Sequence, residues 1–396
     1  MNYCEGKVAV VTGAGGTLCS AIAKDLARQG AKVVLIGRTR EKLEKVAAEI
    51  AGTTGVPPVG KGWDNGRPAR WEEDSHLLIN GQDARCPSEV NGRDARCPSE
   101  SNGQDARCPS EVNGQDARRP SEVNGQDARC PSESNGQDAR CPSVRIEPAD
   151  VTDEAAIRAI ADRVEAEWGP CRFLVNGAGG NNVKAMPTRL RFCEKDLEAR
   201  IGVDMRRATR DAGGDKKTAD ASHVSSPMSL PADRGFFDID MEAFRSVLEI
   251  NTLGTVIPSR IFGLQMAKAG GGAILNFASM NTYRPLTRVA PYAMSKAAIA
   301  NWTMFFAQYM APAKVRVNAV APGFMVNERS RAYLMTPDGG LSPRGEQVMH
   351  HTPMGRFGEA QDLLGCVNWL LDDSVSSFVT GITVPVDGGF LASAGV

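Results

Sequence analysis

A β-branched run that breaks into glycines and reopens as a helix constrains this chain more than any other feature. Residues 7–12 (KVAVVT) have the length and composition of a buried strand, and Gly13, Gly15 and Gly16 form a turn after it. Residues 21–28 carry helical apolar spacing, Gly30 stops that helix, and residues 31–36 (AKVVLI) read as a second strand. Two strands joined by a helical crossover pair in parallel, and the crossover is right-handed. A charged helix follows over residues 40–50.

The next stretch breaks the pattern. From Asn80 the unit Asn-Gly-Gln-Asp-Ala-Arg-Cys-Pro-Ser-Glu-Val recurs with small changes, starting again at Asn91, Asn102, Asn113, Asn124 and Asn135. Each unit holds an Asn-Gly turn signal, a proline and almost no apolar surface, so it cannot offset its own ordering entropy. Solenoid repeats carry a hydrophobic face and these do not. Residues 53–143 are therefore expected to be a disordered insertion. A metal- or partner-binding array is the alternative, and Arg119 in place of a repeat cysteine weighs against it.

Beyond the insertion the α/β alternation resumes. Strands are expected at 144–151, 172–176, 273–277, 315–320 and 383–386. Helices are expected at 155–168, 244–267, 292–310 and 360–371, while 181–235 and 324–358 show no sustained period. Residues 1–52 and 144–396 then form one α/β domain, doubly wound in the Rossmann manner around a parallel sheet. A loop insertion is compatible with this, because closure entropy grows slowly with length.

Composition narrows the function. The chain has 396 residues, 42% of them hydrophobic, so it can bury a core. Its net charge of −1 argues against nucleic acid as a partner. No apolar run has bilayer-spanning length and no signal peptide is visible, so no membrane association and a cytoplasmic location are expected. Five of the ten cysteines lie in the repeats, and Cys4, Cys19, Cys171, Cys193 and Cys366 are scattered. No Cys-x-x-Cys pair occurs, so no metal site is expected and the thiols are read as reduced.

Two groups of residues carry chemistry. A glycine turn between a first strand and a first helix lets backbone approach a pyrophosphate, which the helix N-terminus stabilises. Gly13, Gly15, Gly16, Thr17 and Leu18 occupy that turn. In Tyr292-Ala-Met-Ser-Lys296, positions i and i+4 share a helix face, and a nearby ammonium lowers a phenol's pKa. Ser279, just after the fifth strand, can converge with them at the carboxyl edge of the sheet. Asn251 is a fourth candidate, with a structural core asparagine as its other reading.

These pieces stand in an order that resembles the short-chain dehydrogenase/reductase family. The resemblance rests on Thr12-Gly13 and its glycines, Asp150-Val151, Asn176-Gly177-Ala178-Gly179 and Asn251. It continues through Ser279, Tyr292 with Lys296, Pro322-Gly323 and the closing Val386-Asp387-Gly388-Gly389. It implies catalysis by Asn251, Ser279, Tyr292 and Lys296, and adds Asp150, Val151, Asn176, Gly177, Ala178, Pro322 and Gly323 to the cofactor site, which Tyr292 and Lys296 also border. It further implies a homodimer or homotetramer. The chain departs from the family's Thr-Gly-x-x-x-Gly-x-Gly turn at Thr17 and Cys19, and from Asn-Asn-Ala-Gly at Gly177.

A narrower likeness is to the branch described as D-mannonate oxidoreductases or fructuronate reductases. It is carried by Leu18-Cys19-Ser20-Ala21, Phe236-Phe237-Asp238, Tyr283 to Arg288 and His351 to Gly358. It implies a small sugar-acid substrate. A carboxylate suits a guanidinium fork, and Arg284, Arg288 and Arg329 are the candidates, with Arg331 beside the last. The His350-His351 pair is read as lid surface. At the end of the second strand, Gly37-Arg38-Thr39-Arg40 holds no acid for a ribose hydroxyl, so Arg38 favours NADP over NAD. Reduction of another sugar or a 3-oxoacyl compound, and a non-catalytic cofactor-binding or interaction protein, remain as alternatives.

Overall fold

The computed structural model describes residues 3–52, 144–198 and 233–394. The expected insertion at 53–143 and the part of 181–235 between 199 and 232 lie outside the described residues.

Among the described residues, seven strands form one parallel sheet. They are β1 (Val8–Thr12), β2 (Lys32–Gly37), β3 (Val144–Pro148), β4 (Cys171–Asn176), β5 (Gly272–Phe277), β6 (Val315–Pro322) and β7 (Thr383–Val386). Their order is β3-β2-β1-β4-β5-β6-β7, so the winding reverses between β1 and β4. Doubly wound sheets bind ligands at that reversal, outside the carboxyl ends of the strands. Register brings those ends level, with Thr12 beside Asn176 and Asn176 beside Asn276.

Strand residues alternate between two cores, because successive side chains leave opposite faces. Val11, Leu35, Val175 and Leu275 pack with Ile22 and Leu26 of α1 (Thr17–Arg28), Leu43 of α2 (Arg40–Ile50) and a later helix at 360–371. Val10, Val34, Leu174 and Ile274 pack on the other face. There they meet α3 (Glu154–Trp168), α4 (Met241–Lys268) and α5 (Ala290–Met310). Both faces are covered, so the strands are near-continuous apolar runs rather than alternating ones.

The structure moves several expected boundaries for local reasons. Helix α1 begins at Thr17, four positions before the periodic stretch, because extended Gly16 stands at its N-cap. Helix α4 begins at Met241, where the Asp240 carboxylate accepts from the Glu242 and Ala243 amides. Strand β3 ends at Pro148 rather than 151, and the Asp150 carboxylate then turns the chain by accepting from the Thr152 amide. Residues 324–358 contain α6 (Glu328–Leu334) and α7 (Pro343–His350), each too short to show a period. Met325 bridges to Gly358 across the base of this segment. The chain ends through α8 (Ala360–Leu371), α9 (Asp373–Ser376) and β7. Among the described residues no helix is long and apolar enough to cross a membrane.

Candidate active site

The turn after β4 is the hub of the carboxyl edge. The Thr12 hydroxyl, at the end of β1, accepts from the Gly177 amide at 3.1 Å and the Ala178 amide at 3.2 Å. The Asn176 amide group donates to Ser259 and Asn276, each at 2.9 Å, and Asn276 donates onward to Thr303. These polar groups are buried, so their mutual hydrogen bonds hold β4, β5, α4 and α5 in one arrangement.

The glycine turn meets this hub. Gly13 adopts φ +65°, and a Cβ there would stand 2.8 Å from the Ala178 backbone, so the position requires glycine. No side chain caps the N-terminus of α1, and no acidic residue stands in its first turn. That end suits a pyrophosphate, with Gly16, Thr17 and Leu18 nearest. Thr17 is exposed and Leu18 is half-buried.

Cys19 and Gly177 explain each other. Cys19 is buried, and a Cβ on Gly177 would lie 2.0 Å from its sulfur. The thiol thus occupies the space that a side chain at 177 would need. Relative to the family pattern, one residue has gained volume and its neighbour has lost it.

Asn251, Lys296 and Gly179 meet on the far side of the turn. The Asn251 side chain is fully buried, donates to the Gly180 and Val247 carbonyls at 2.7 Å, and accepts from the Gly180 amide. A Cβ on Gly179 would stand 2.5 Å from the Asn251 Oδ1 and 3.6 Å from the Lys296 Nζ. Lys296 is buried and donates to the Phe277 carbonyl at 2.7 Å. Burial pushes its pKa down to about 8. Its Nζ lies 5.5 Å from the Tyr292 ring centre.

Tyr292 departs from the expectation that the ammonium lowers its pKa. Burial raises the phenol above its ordinary value, and a hydrogen bond with Ser279 pulls it partly back. The Ser279 hydroxyl also accepts from the Asn281 backbone amide and side-chain amide. Asn281 in turn accepts from the Leu286 amide at 2.9 Å, which ties the 283–289 loop to Ser279. The sequence reading omitted Asn281, since an asparagine two residues past a serine carries no distinctive signal.

The remaining candidates spread around this centre. Arg38 is exposed and stands 4.0 Å from Asp150, beside buried Val151. The Gly323 amide donates to Val386, and a Cβ at 323 would clash with Asp387 at 2.6 Å. Pro322 closes β6 next to it. Arg284 donates to the Ser393 carbonyl at 2.8 Å, which commits it to the chain's own tail. Arg288 lines a pocket of about 370 Å³ with Leu286, Phe192, Phe236 and Phe237. Arg329 lies in α6 with its side chain outside the described residues. Arg331 is exposed on α6 against the Met335 sulfur, and His351 holds the Gln347 carbonyl. Among the described residues no cluster of three or more acids, histidines or cysteines could hold a metal ion.

Comparison with known proteins fits this geometry. A family model described as short chain dehydrogenase matches residues 7–61, and one described as enoyl-(acyl carrier protein) reductase matches residues 204–391. An uncharacterized oxidoreductase of Bacillus subtilis is 30% identical over 391 residues, 99% of this chain and 97% of the relative. A 2-dehydro-3-deoxy-D-gluconate 5-dehydrogenase of Dickeya dadantii is 35% identical over 147 residues, 37% of this chain and 56% of the relative. Among solved structures, a candidate D-mannonate oxidoreductase from Haemophilus influenza with bound NAD is 27% identical, with a TM-score of 0.65. That match covers 99% of this chain and 97% of the other.

The Cys19–Gly177 exchange has a direct test. Gly177→Asn should destabilise the protein by about 1–3 kcal/mol, the usual cost of overpacking a filled core. Cys19→Gly in the same chain should restore most of that loss, measured by denaturant unfolding. Additive effects of the two substitutions would contradict the exchange.

Proposed function

Because the chain belongs to the short-chain dehydrogenase/reductase family, we propose that it interconverts D-mannonate and D-fructuronate with NADPH or NADH. The observation that carries the reaction class is the meeting of Ser279, Tyr292 and Lys296 at the carboxyl edge of the sheet, beside the turn after β4. The sugar-acid pair is supported by the likeness to the Haemophilus influenza protein, and a sugar-acid dehydrogenase stands among the relatives. Arg38, with no acid at the end of β2, supports a preference for the 2′-phosphate of NADPH.

The residues present fit a dinucleotide. The uncapped first turn of α1, Gly13, Gly15 and Gly16 would hold the pyrophosphate. Arg38, Asp150 and Val151 would border the adenosine end. Asn176, Gly177, Ala178, Pro322 and Gly323 would border the nicotinamide end, together with Tyr292 and Lys296. When bound, the cofactor supplies or accepts the hydride.

In reduction, the Tyr292 phenol donates its proton to the carbonyl oxygen, and the raised pKa keeps that proton in place at neutral pH. The Ser279 hydroxyl donates a hydrogen bond to the same oxygen and stabilises its developing charge. The Lys296 ammonium stabilises the phenolate left behind and is oriented by the Phe277 carbonyl. Asn251 holds Gly180, which keeps the β4 turn beside Lys296. The exposed Leu253, Leu264, Phe305 and Tyr309 on α4 and α5 support assembly through these helices as a dimer or tetramer.

Purified protein with NADPH or NADH and D-fructuronate should oxidise the cofactor, followed by nicotinamide absorbance. Tyr292→Phe should lower kcat by about a hundred- to ten-thousandfold. Full turnover in that variant would overturn the assigned proton donor. No oxidation by the wild-type protein would overturn the substrate pair.

The pH profile gives a second test. Lys296 is charged below about 8 and neutral above it. Reduction needs the ammonium and the protonated phenol together. The reductive kcat/KM should therefore fall as pH rises through about 8. A profile level through that region would contradict a role for the Lys296 charge.

A further inference from the structure

Most partly buried arginines among the described residues meet an acid. Arg145 meets Glu147 and Glu167, Arg189 meets Asp196, and Arg316 meets Asp373. Arg234 instead donates to the carbonyls of Val183 and Met186. Arg288 and Arg344 are both half-buried, and neither has an ion pair or hydrogen bond with a described residue. The Arg288 Nε is fully shielded from solvent and still has no partner.

These two cations also act on each other through space. Burial and the nearby Arg288 guanidinium both push the Arg344 pKa down. A guanidinium withdrawn from water without a counter-ion is unfavourable, and a second like charge beside it adds to the cost. Arg288 further adopts φ 71°, a left-handed conformation that is strained for a non-glycine residue. Strain and uncompensated charge thus coincide at one position. An anion between the two forks would relieve the charge.

The placement suits a substrate. Arg288 lies four residues before Tyr292, on the loop that Asn281 ties to Ser279. It also lines the pocket of about 370 Å³, whose other walls include Phe192, Phe236 and Leu286. Arg344 comes from a separate element, the first turn of α7. Planar guanidiniums match the two oxygens of a carboxylate, and two forks can hold one carboxylate from two sides.

We propose that Arg288 and Arg344 form a carboxylate clamp that selects sugar acids over neutral sugars. The inference rests on the sugar-acid reading and names the group that discriminates. The clamp binds the acidic end of the substrate and leaves its carbonyl to Ser279 and Tyr292. It also joins the 324–358 segment to the 283–289 loop through the substrate itself.

The test compares the wild-type protein with Arg344→Gln and Arg344→Lys, using D-fructuronate and its neutral counterpart D-fructose. Arg344→Gln should raise the KM for D-fructuronate about ten- to a hundredfold, as expected for losing a charge-assisted contact. The preference for D-fructuronate over D-fructose should narrow by a similar factor, with kcat changed much less. Arg344→Lys should recover part of the loss, and a cofactor titration checks that each variant is folded. An unchanged KM in Arg344→Gln would overturn the clamp while leaving the sugar-acid reading intact. Tighter binding of a phosphorylated ketose than of D-fructuronate would overturn the carboxylate assignment. If the wild-type protein turns over no sugar acid, the sugar-acid reading fails and the clamp is judged by calorimetric titration with D-mannonate. Binding that Arg344→Gln abolishes would uphold the clamp, and absent or Arg344-independent binding would overturn it.

Discussion

The turn after β4 is the constraint on which the rest of the site depends. Four separate elements hold it. Thr12 at the end of β1 binds its first two amides. Cys19 from α1 fills the space above Gly177. Asn251 from α4 binds Gly180, and Lys296 from α5 approaches Gly179. No Cβ fits at 177 or 179 without displacing one of these partners. A shift in this turn would therefore move the glycine turn, the lysine and the asparagine together.

Burial sets the electrostatics of the same region. It raises the Tyr292 phenol and lowers the Lys296 ammonium, so the two groups move apart in proton affinity and the phenol holds its proton more tightly. A phenol that keeps its proton beside a cation suits a site that must donate that proton to a carbonyl oxygen. The cation at Lys296 is balanced by a backbone carbonyl. The cations at Arg288 and Arg344 are balanced by no described residue. The first arrangement is complete within the protein, and the second is the basis of the proposed carboxylate clamp.

The sheet was legible in the sequence because its strands are apolar on both faces and its turns are marked by glycine. Residues 7–12, 31–36 and 273–277 fall on β1, β2 and β5 almost without adjustment. Helix starts were less legible, since Gly16 and Asp240 act through backbone geometry and a single carboxylate rather than through periodicity. Ser279, Tyr292 and Lys296 stand out in the sequence because their spacing is distinctive. Arg344 does not, because a lone arginine in a non-periodic segment gains meaning only in relation to Arg288. The Cys19 departure carried no visible remedy in the sequence. Its partner Gly177 lies 158 positions away and meets it only through the register of β1 and β4.

The proposed dinucleotide cradle is built by the β4 turn and the uncapped start of α1 together. Calorimetric titration of the full chain with NADPH and with NADH addresses it without reference to any substrate. Saturable binding of one cofactor per chain is expected, weakened when Asn251→Ala releases Gly180. Absence of binding by both cofactors would contradict the cradle, and with it the reading of Thr17 and Cys19 as compatible with a bound pyrophosphate.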